Sequence, residues 1–328
     1  MTIVLPEGAA PGAAIVAGEQ ASPQEGPRRA ARETGRRRRL PYLLVLPAVV
    51  ILALVLGYPL YRLGVMSTQK FGLRQQFGAP PESVGLDNFR ELLGDSEFRA
   101  VVQRTVLFCV VNVAFTMFFG TVVALLLNHL GARMRTLLSM ALLLAWATPA
   151  LTATVVWQWV FDAQYGLANR LLTALGGDYE GHSWLSDPLS FYAVATIVVV
   201  WMGVPFVAFT LYAGMTQIPA ETLEAAAIDG AGRWQRFRDI VLPALKPLYL
   251  ILFALSTLWD LRVFTQIYVL QEAGGISRDT NLLGVWTYRM AIGQNRFDIG
   301  AAAALLMVAL ALLLTIVYLR QMFRTEEL

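Results

Sequence analysis

The chain has 328 residues, 56% of them hydrophobic and only 15% charged, against about 45–50% and about 25% in soluble domains. That balance excludes a globular enzyme and predicts an integral membrane protein with several spans. A net charge of +3 does not point to nucleic acid, because the arginines sit beside apolar runs; the single cysteine, Cys109, and two distant histidines, His129 and His182, give neither an internal disulfide nor a metal-ligand set.

Residues 1–40 are rich in Ala, Gly, Pro, Glu and Arg and end in Arg36–Arg39. They read as a disordered basic tail, too poor in large apolar side chains to offset the entropy of ordering. The tail is too long and polar for a signal-peptide start, so the first apolar helix is expected to stay in the protein. That helix occupies 41–66, its apolar stretch running from about Pro41 to Val65. An extracytoplasmic segment, 67–104, follows. The remainder, 105–321, forms one core before a short C-terminus, 322–328. Uncharged stretches of about 20 residues, the length that crosses a bilayer, recur near Thr105–Asn128, Thr136–Phe161 (with Pro149 placed to kink it), Leu189–Met215, Leu245–Leu270 and Ile299–Leu319. The expected fold is therefore an all-α membrane protein of six spans.

Arginines fix the expected orientation. The tail's arginines precede span one, which places the tail in the cytoplasm by the positive-inside rule. Alternation then brings Arg133 with Arg135, the Arg233/Arg236/Arg238 group, and Arg320 with Arg324 to the same side. Both termini are predicted to be cytoplasmic.

Between spans four and five lies a polar segment, 216–244, containing EAAAIDGAGRWQRFRDIVLPALKP from Glu224 to Pro247. Pro219 can open a helix, with Glu221 and Glu224 favourable in its first turns. Leu223, Ala226 and Ala227 share a shallow face. The pattern predicts a break at Asp229–Gly230 and Gly232, then an apolar stripe of Trp234, Phe237, Ile240 and Val241, stopped at Pro243. Two readings remain open from these residues alone. The segment lies on the inner leaflet with its arginines on lipid phosphates, or it docks a partner. Alanines in place of large apolar residues favour docking.

The string resembles the EAA motif of ABC-importer permeases of the binding-protein-dependent sugar family, with Glu224, Ala225, Ala226, Asp229, Gly230, Ala231, Phe237, Ile240, Leu242, Pro243 and Pro247 in register. GLDNFRELL (85–93), WQWVFDAQYGLANRLL (157–172) and the run from Asp279 to Leu306 also resemble segments of those permeases, so the likeness covers about 41–320. Where that family often has Gly-Gly-Pro, this chain has Gly274-Gly275-Ile276. The resemblance implies the type I importer architecture with cytoplasmic coupling helices. Glu224 would meet a basic residue of an ATPase, Asp229 and Gly230 would shape the turn, and Ala225, Ala226, Arg233 and Phe237 would share the docking surface. It also implies the partners: a second, similar permease, two ABC ATPases and an extracytoplasmic substrate-binding lipoprotein.

No phosphate-binding loop is present. The two lysines, Lys70 and Lys246, fall outside any Gly-x4-Gly-Lys-Ser/Thr pattern. No cofactor is therefore expected in this chain, ATP and Mg belonging to the partner ATPases. A substrate path is sought in span five, where Asp260 and Arg262 interrupt an apolar run at a cost of about 2.5–3.5 kcal/mol per charge unless a cavity or partner receives them. At two residues apart they are not expected to face each other on a helix. Asp260 either accepts hydrogen bonds from substrate or pairs with a sister subunit. Ser256, Trp259, Asp260 and Val263 share a helical face that combines an aromatic plate, an anion and a hydroxyl, as sugar sites do, and Met202 and Phe206 of span four are at similar depth. The family resemblance points to the same two spans. Trp157, Gln158 and Trp201 are weaker candidates, and Asn112 suits an interhelical hydrogen bond.

The expected function is the permease subunit of an ATP-driven importer of a di- or oligosaccharide in the plasma membrane, with trehalose put first only by overall resemblance to the permeases of that family. Rival readings are an importer of glycerol phosphate or polyamines, and a membrane scaffold or channel with no energy coupling. An intramembrane enzyme is disfavoured because the spans contain no paired acids, Ser-Lys pair or metal constellation.

Overall fold

A computed structural model describes residues 27–326; residues 1–26 of the expected tail lie outside the described residues. The chain divides into two units, residues 1–59 and 60–328. The first helix, Pro27–Ser67, begins in one and ends in the other. It starts ahead of the expected 41–66, and its apolar part, Leu44–Ser67, is long enough to cross a bilayer.

In the second unit, four further helices have spanning length: Ser96–His129 (span two), Pro188–Met215 (span four), Lys246–Glu272 (span five) and Phe297–Gln321 (span six). Span three differs from expectation. Instead of one kinked helix from Thr136 to Phe161, it is two helices, Ala132–Ala147 and Ala150–Val160, bent by 105°. Thr148 and Pro149 between them are extended, with ψ of 125° and 140°. Proline cannot donate a backbone hydrogen bond and pushes the preceding residue out of the helical region, so both halves end there.

Spans two and four form the centre of the fold, and small residues let them approach. A Cβ added to Gly120 would lie 2.5 Å from Cγ1 of Val207, and one on Gly203 would lie 3.0 Å from Cγ2 of Thr116. Ala124, Leu127, Val207, Ala208 and Leu211 are fully buried around this contact. Within a bilayer, such close backbone approach replaces the hydrophobic drive available in water. Asn112 does not bridge helices as expected. Its amide donates to Phe108 O of its own helix at 2.7 Å, and its Oδ1 has no hydrogen-bond partner among the described residues. Cys109 is buried packing.

The segments that follow spans one and three are each held by a buried asparagine, and the segment after span five reaches the one after span one. Asn88, buried in the helix Asp87–Gly94, donates to Ser67 O and Gln69 O, both at 2.9 Å. Asn169 donates to Ala163 O and His182 O while accepting from Trp184 Nε1 at 2.6 Å. Arg296, ahead of span six, bridges Glu91 and Asp298 at 3.0 and 3.2 Å. The Gly274-Gly275 turn carries φ of +134° at Gly274, and a Cβ on Gly275 would lie 2.6 Å from the Phe191 ring.

Two substitutions test this packing. Gly120→Leu overfills the contact between spans two and four and is expected to cost about 1–3 kcal/mol, read as a lower midpoint in thermal denaturation of the detergent-solubilised protein. Asn169→Ala strands the Trp184 indole N–H and two carbonyls, with an expected loss of about 1–3 kcal/mol and earlier proteolysis of residues 161–187.

Candidate functional site

Span five is helical from Lys246 to Asp260 and again from Thr265 to Glu272. The intervening Leu261-Arg262-Val263-Phe264 turns out of the helix, with Phe264 at φ −128° and ψ −61°. Non-helical backbone at membrane depth is stable only where protein covers it or a polar cavity receives it. Here it borders a cavity of about 440 Å³ lined by Trp259, Asp260, Arg262 and Gln266 from span five, Met202 from span four and Trp146 from span three, among others.

Most of the expected substrate residues meet at this cavity, with two exceptions. Trp259, Asp260, Val263 and Met202 line it. Phe206 does not; it supports Trp259 from behind, the two rings 5.1 Å apart. Ser256 is buried one turn earlier and lies outside the lining. The helical-face argument fails for Val263, because the helix ends at Asp260 and the turn brings Val263 round instead. The same turn puts Arg262 on the cavity that Asp260 lines, yet the two are not paired with each other among the described residues, in keeping with residues two apart. Asp260 is 7% exposed, and its Oδ2 has no hydrogen-bond partner among the described residues. Arg262 Nε donates to Leu258 O at 3.0 Å, and Gln266 Nε2 contacts Met202 Sδ at 3.7 Å. The cavity thus offers a buried carboxylate, a guanidinium and an amide beside two indoles. Trp146 and Gln266 escaped the sequence reading. Trp146 sits in a half-span that bends by 105° where only a kink was expected, and Gln266 lies beyond a helix break that no glycine or proline announces. Trp157 and Trp201 pair with each other at 6.0 Å and are absent from the lining.

The segment between spans four and five is a helical hairpin. Its first helix, Ala220–Ile228, has no buried residue. It ends in a Schellman motif: Ala231 N donates to Ala226 O at 2.9 Å and Gly230 N to Ala227 O at 3.1 Å, with Gly230 at φ +84°. Only glycine adopts that conformation without strain. Gly232 begins the second helix, its N–H bound by Gln235 Oε1 at 2.8 Å. That helix, Arg233–Arg236, passes into a π-turn, Phe237–Val241, and then Leu242–Ala244. Pro243 does not stop it. Proline's missing N–H is absorbed by the wider π-turn before it, and the chain breaks at Leu245 instead.

Ala226, Asp229 and Gly230 line a concavity of about 310 Å³ between the two helices with Gln235, Arg236 and Ile240; Glu224, Ala225, Arg233 and Phe237 lie outside it. Glu224 and Ala225 are exposed. Arg238 binds Asp239 at 2.7 Å, and this hydrogen bond holds the Asp239 carboxyl below its ordinary range. Ile228 and Trp234 are 86% and 68% exposed. Trp234 belongs to the apolar stripe expected from the sequence, whereas Ile228 was not singled out there.

Residues 116–325 match the family described as the binding-protein-dependent transport system inner membrane component. The chain is 41% identical over 288 residues, 88% of each chain, to the diacetylchitobiose uptake system permease protein DasB of Streptomyces coelicolor. It is 33% identical to the sulfoquinovosyl glycerol transport system permease protein SmoG of Agrobacterium fabrum, over 88% of this chain and 92% of that one. Identity to the trehalose/maltose transport system permease protein MalF of Thermococcus litoralis is 34%, over 87% and 94%. Among solved structures, a bacterial ABC transporter involved in alginate import superposes with a TM-score of 0.75 at 20% identity, covering 90% of this chain and 99% of that one, which supports the fold. The chain therefore belongs to the inner-membrane permease family of binding-protein-dependent ABC transport systems and is a transport subunit rather than an enzyme.

Proposed function

We propose that this permease passes a carbohydrate, a di- or oligosaccharide, through the cavity at the break in span five. The observation that carries this reading is the composition of that lining: Asp260, Arg262 and Gln266 beside Trp259 and Trp146. Sugars present apolar ring faces to aromatics and hydroxyls to planar polar groups. A phosphate-bearing solute would call for more cationic groups than Arg262 alone, which weighs against glycerol phosphate. The relatives named for diacetylchitobiose and for trehalose/maltose support a disaccharide. Trehalose is the first sugar to test, followed by diacetylchitobiose.

The hairpin at 216–244 is assigned as the coupling element, with the EAA-like Glu224 facing a basic residue of an ATPase. In this reading the termini and the hairpin are cytoplasmic, as the arginine distribution supports. The segments after spans one, three and five then face an extracytoplasmic binding protein. Two ATPases, which bind ATP and Mg, and a second permease complete the assembly. Closure of the ATPases moves the hairpins, and the attached spans rock so that the cavity opens alternately to each side. The Schellman turn makes the hairpin stiff enough to transmit that motion.

Three results test the proposal in a reconstituted complex. Asp260→Asn combined with Trp259→Ala is expected to lower sugar uptake and sugar-stimulated ATPase at least about tenfold, the scale of a lost charged hydrogen bond; unchanged rates would remove the cavity from the path. Glu224→Lys is expected to abolish uptake while membrane insertion, judged by fractionation, stays intact. Gly230→Val imposes a left-handed backbone at a cost of about 1–2 kcal/mol and is expected to raise the ATPase-to-transport ratio, with wild-type coupling counting against the hairpin's role.

A further inference from the structure

Beyond the cavity, span five continues into a cluster of rings and planar polar groups that the transport reading has not used. Phe264, which lines the cavity, stacks on Tyr268 at 5.6 Å and 11°. Tyr288 stands nearly perpendicular to both, 5.5 Å from Phe264 at 78° and 5.7 Å from Tyr268 at 88°. The Arg289 guanidinium lies 5.7 Å from the Tyr268 ring centre. Its Nη2 donates to Gln271 Oε1 at 3.1 Å and Glu272 Oε1 at 3.2 Å.

Several features distinguish this cluster from ordinary packing. Tyr288 is 41% exposed although it completes a three-ring contact. Arg289 Nε and Thr287 Oγ1 are buried with no hydrogen-bond partner among the described residues, a condition that costs stability unless water or a ligand satisfies the group. Arg289 also opens a π-turn, Arg289–Gly293, a local irregularity frequent at functional sites. Two residues beyond it, Asn295 is the one non-glycine residue with positive φ, +57°, among the described residues.

We propose that Tyr288, Tyr268 and Phe264, with Arg289 and Glu272, form a second carbohydrate subsite that hands sugar between the loop end of span five and the cavity. This inference rests on the carbohydrate reading of the cavity. From Phe264 to Glu272 the helix rises about 12 Å, so a disaccharide at the Arg289–Glu272 end reaches toward the cavity-lining Phe264. Exposed Tyr288 offers a ring for an apolar sugar face. Arg289 and Glu272 offer a planar donor and a planar acceptor for hydroxyls, and their existing hydrogen bond is the one a sugar would exchange. A path lined in series by rings lets the sugar trade one stacking contact for the next.

The experiment is uptake of radiolabelled trehalose and diacetylchitobiose by proteoliposomes that hold the complete complex and its binding protein. Tyr288→Leu keeps apolar volume but removes the ring. It is expected to raise the uptake KM about tenfold, the scale of a lost aromatic contact, while uptake at saturating sugar stays near the unsubstituted rate. Tyr288→Phe is expected to restore the KM, and Arg289→Gln to raise it. An unchanged KM in Tyr288→Leu would overturn the subsite, as would equal loss in the Leu and Phe variants, which would assign the ring to packing. Loss of ATPase stimulation by sugar-free binding protein in Tyr288→Leu would also overturn it, assigning the surface to protein docking. A separate outcome marks failure of the underlying reading: an unsubstituted complex that is active on another solute and moves neither sugar.

Discussion

A chain this apolar places its peptide groups where no water can satisfy them, so each departure from helix has to be covered by other groups. The structure departs twice at depth. Thr148–Pro149 splits span three, and Leu261–Phe264 splits span five. Trp146, just ahead of the first break, and Arg262, inside the second, line the same cavity. The irregular backbone and the polar cavity thus support each other. The cavity gives unsatisfied groups a polar surrounding, and the breaks turn Asp260, Arg262 and Gln266 toward one space.

The two breaks work because the rest of the bundle is stiff. Gly120 against Val207 and Gly203 against Thr116 bring spans two and four close enough that neither rotates freely. Buried Asn88 and Asn169 fasten the segments after spans one and three by amide hydrogen bonds to main-chain carbonyls. Both asparagines fall within the stretches whose sequence resembles other permeases, and their role is architectural. The hairpin between spans four and five has the opposite character. Its first helix buries nothing against its own chain, and its rigidity comes from local devices, the Schellman turn at Gly230 and the Gln235 cap.

The cavity and the Phe264–Tyr268–Tyr288 cluster share one helix, and their chemistries are similar: rings beside planar polar groups.

The sequence by itself determined the class of the protein. Apolar length located the spans, because about 20 apolar residues have no other stable environment. The glycine at 230 foretold a break in the helix, and the EAA-like string marked the hairpin, because local backbone chemistry is written locally. Charges in span five pointed to a polar space at depth, since an unreceived charge there is costly. Tertiary structure alone decided the shape of that space. Leu261–Phe264 contains neither glycine nor proline, so its break answers to packing rather than to local propensity. A 105° bend replaced the expected kink at Pro149 because the proline permitted a break and the surrounding helices set its angle. Trp146 and Gln266 are distant in sequence from Asp260 or separated from it by the break, and only folding brings them to one cavity.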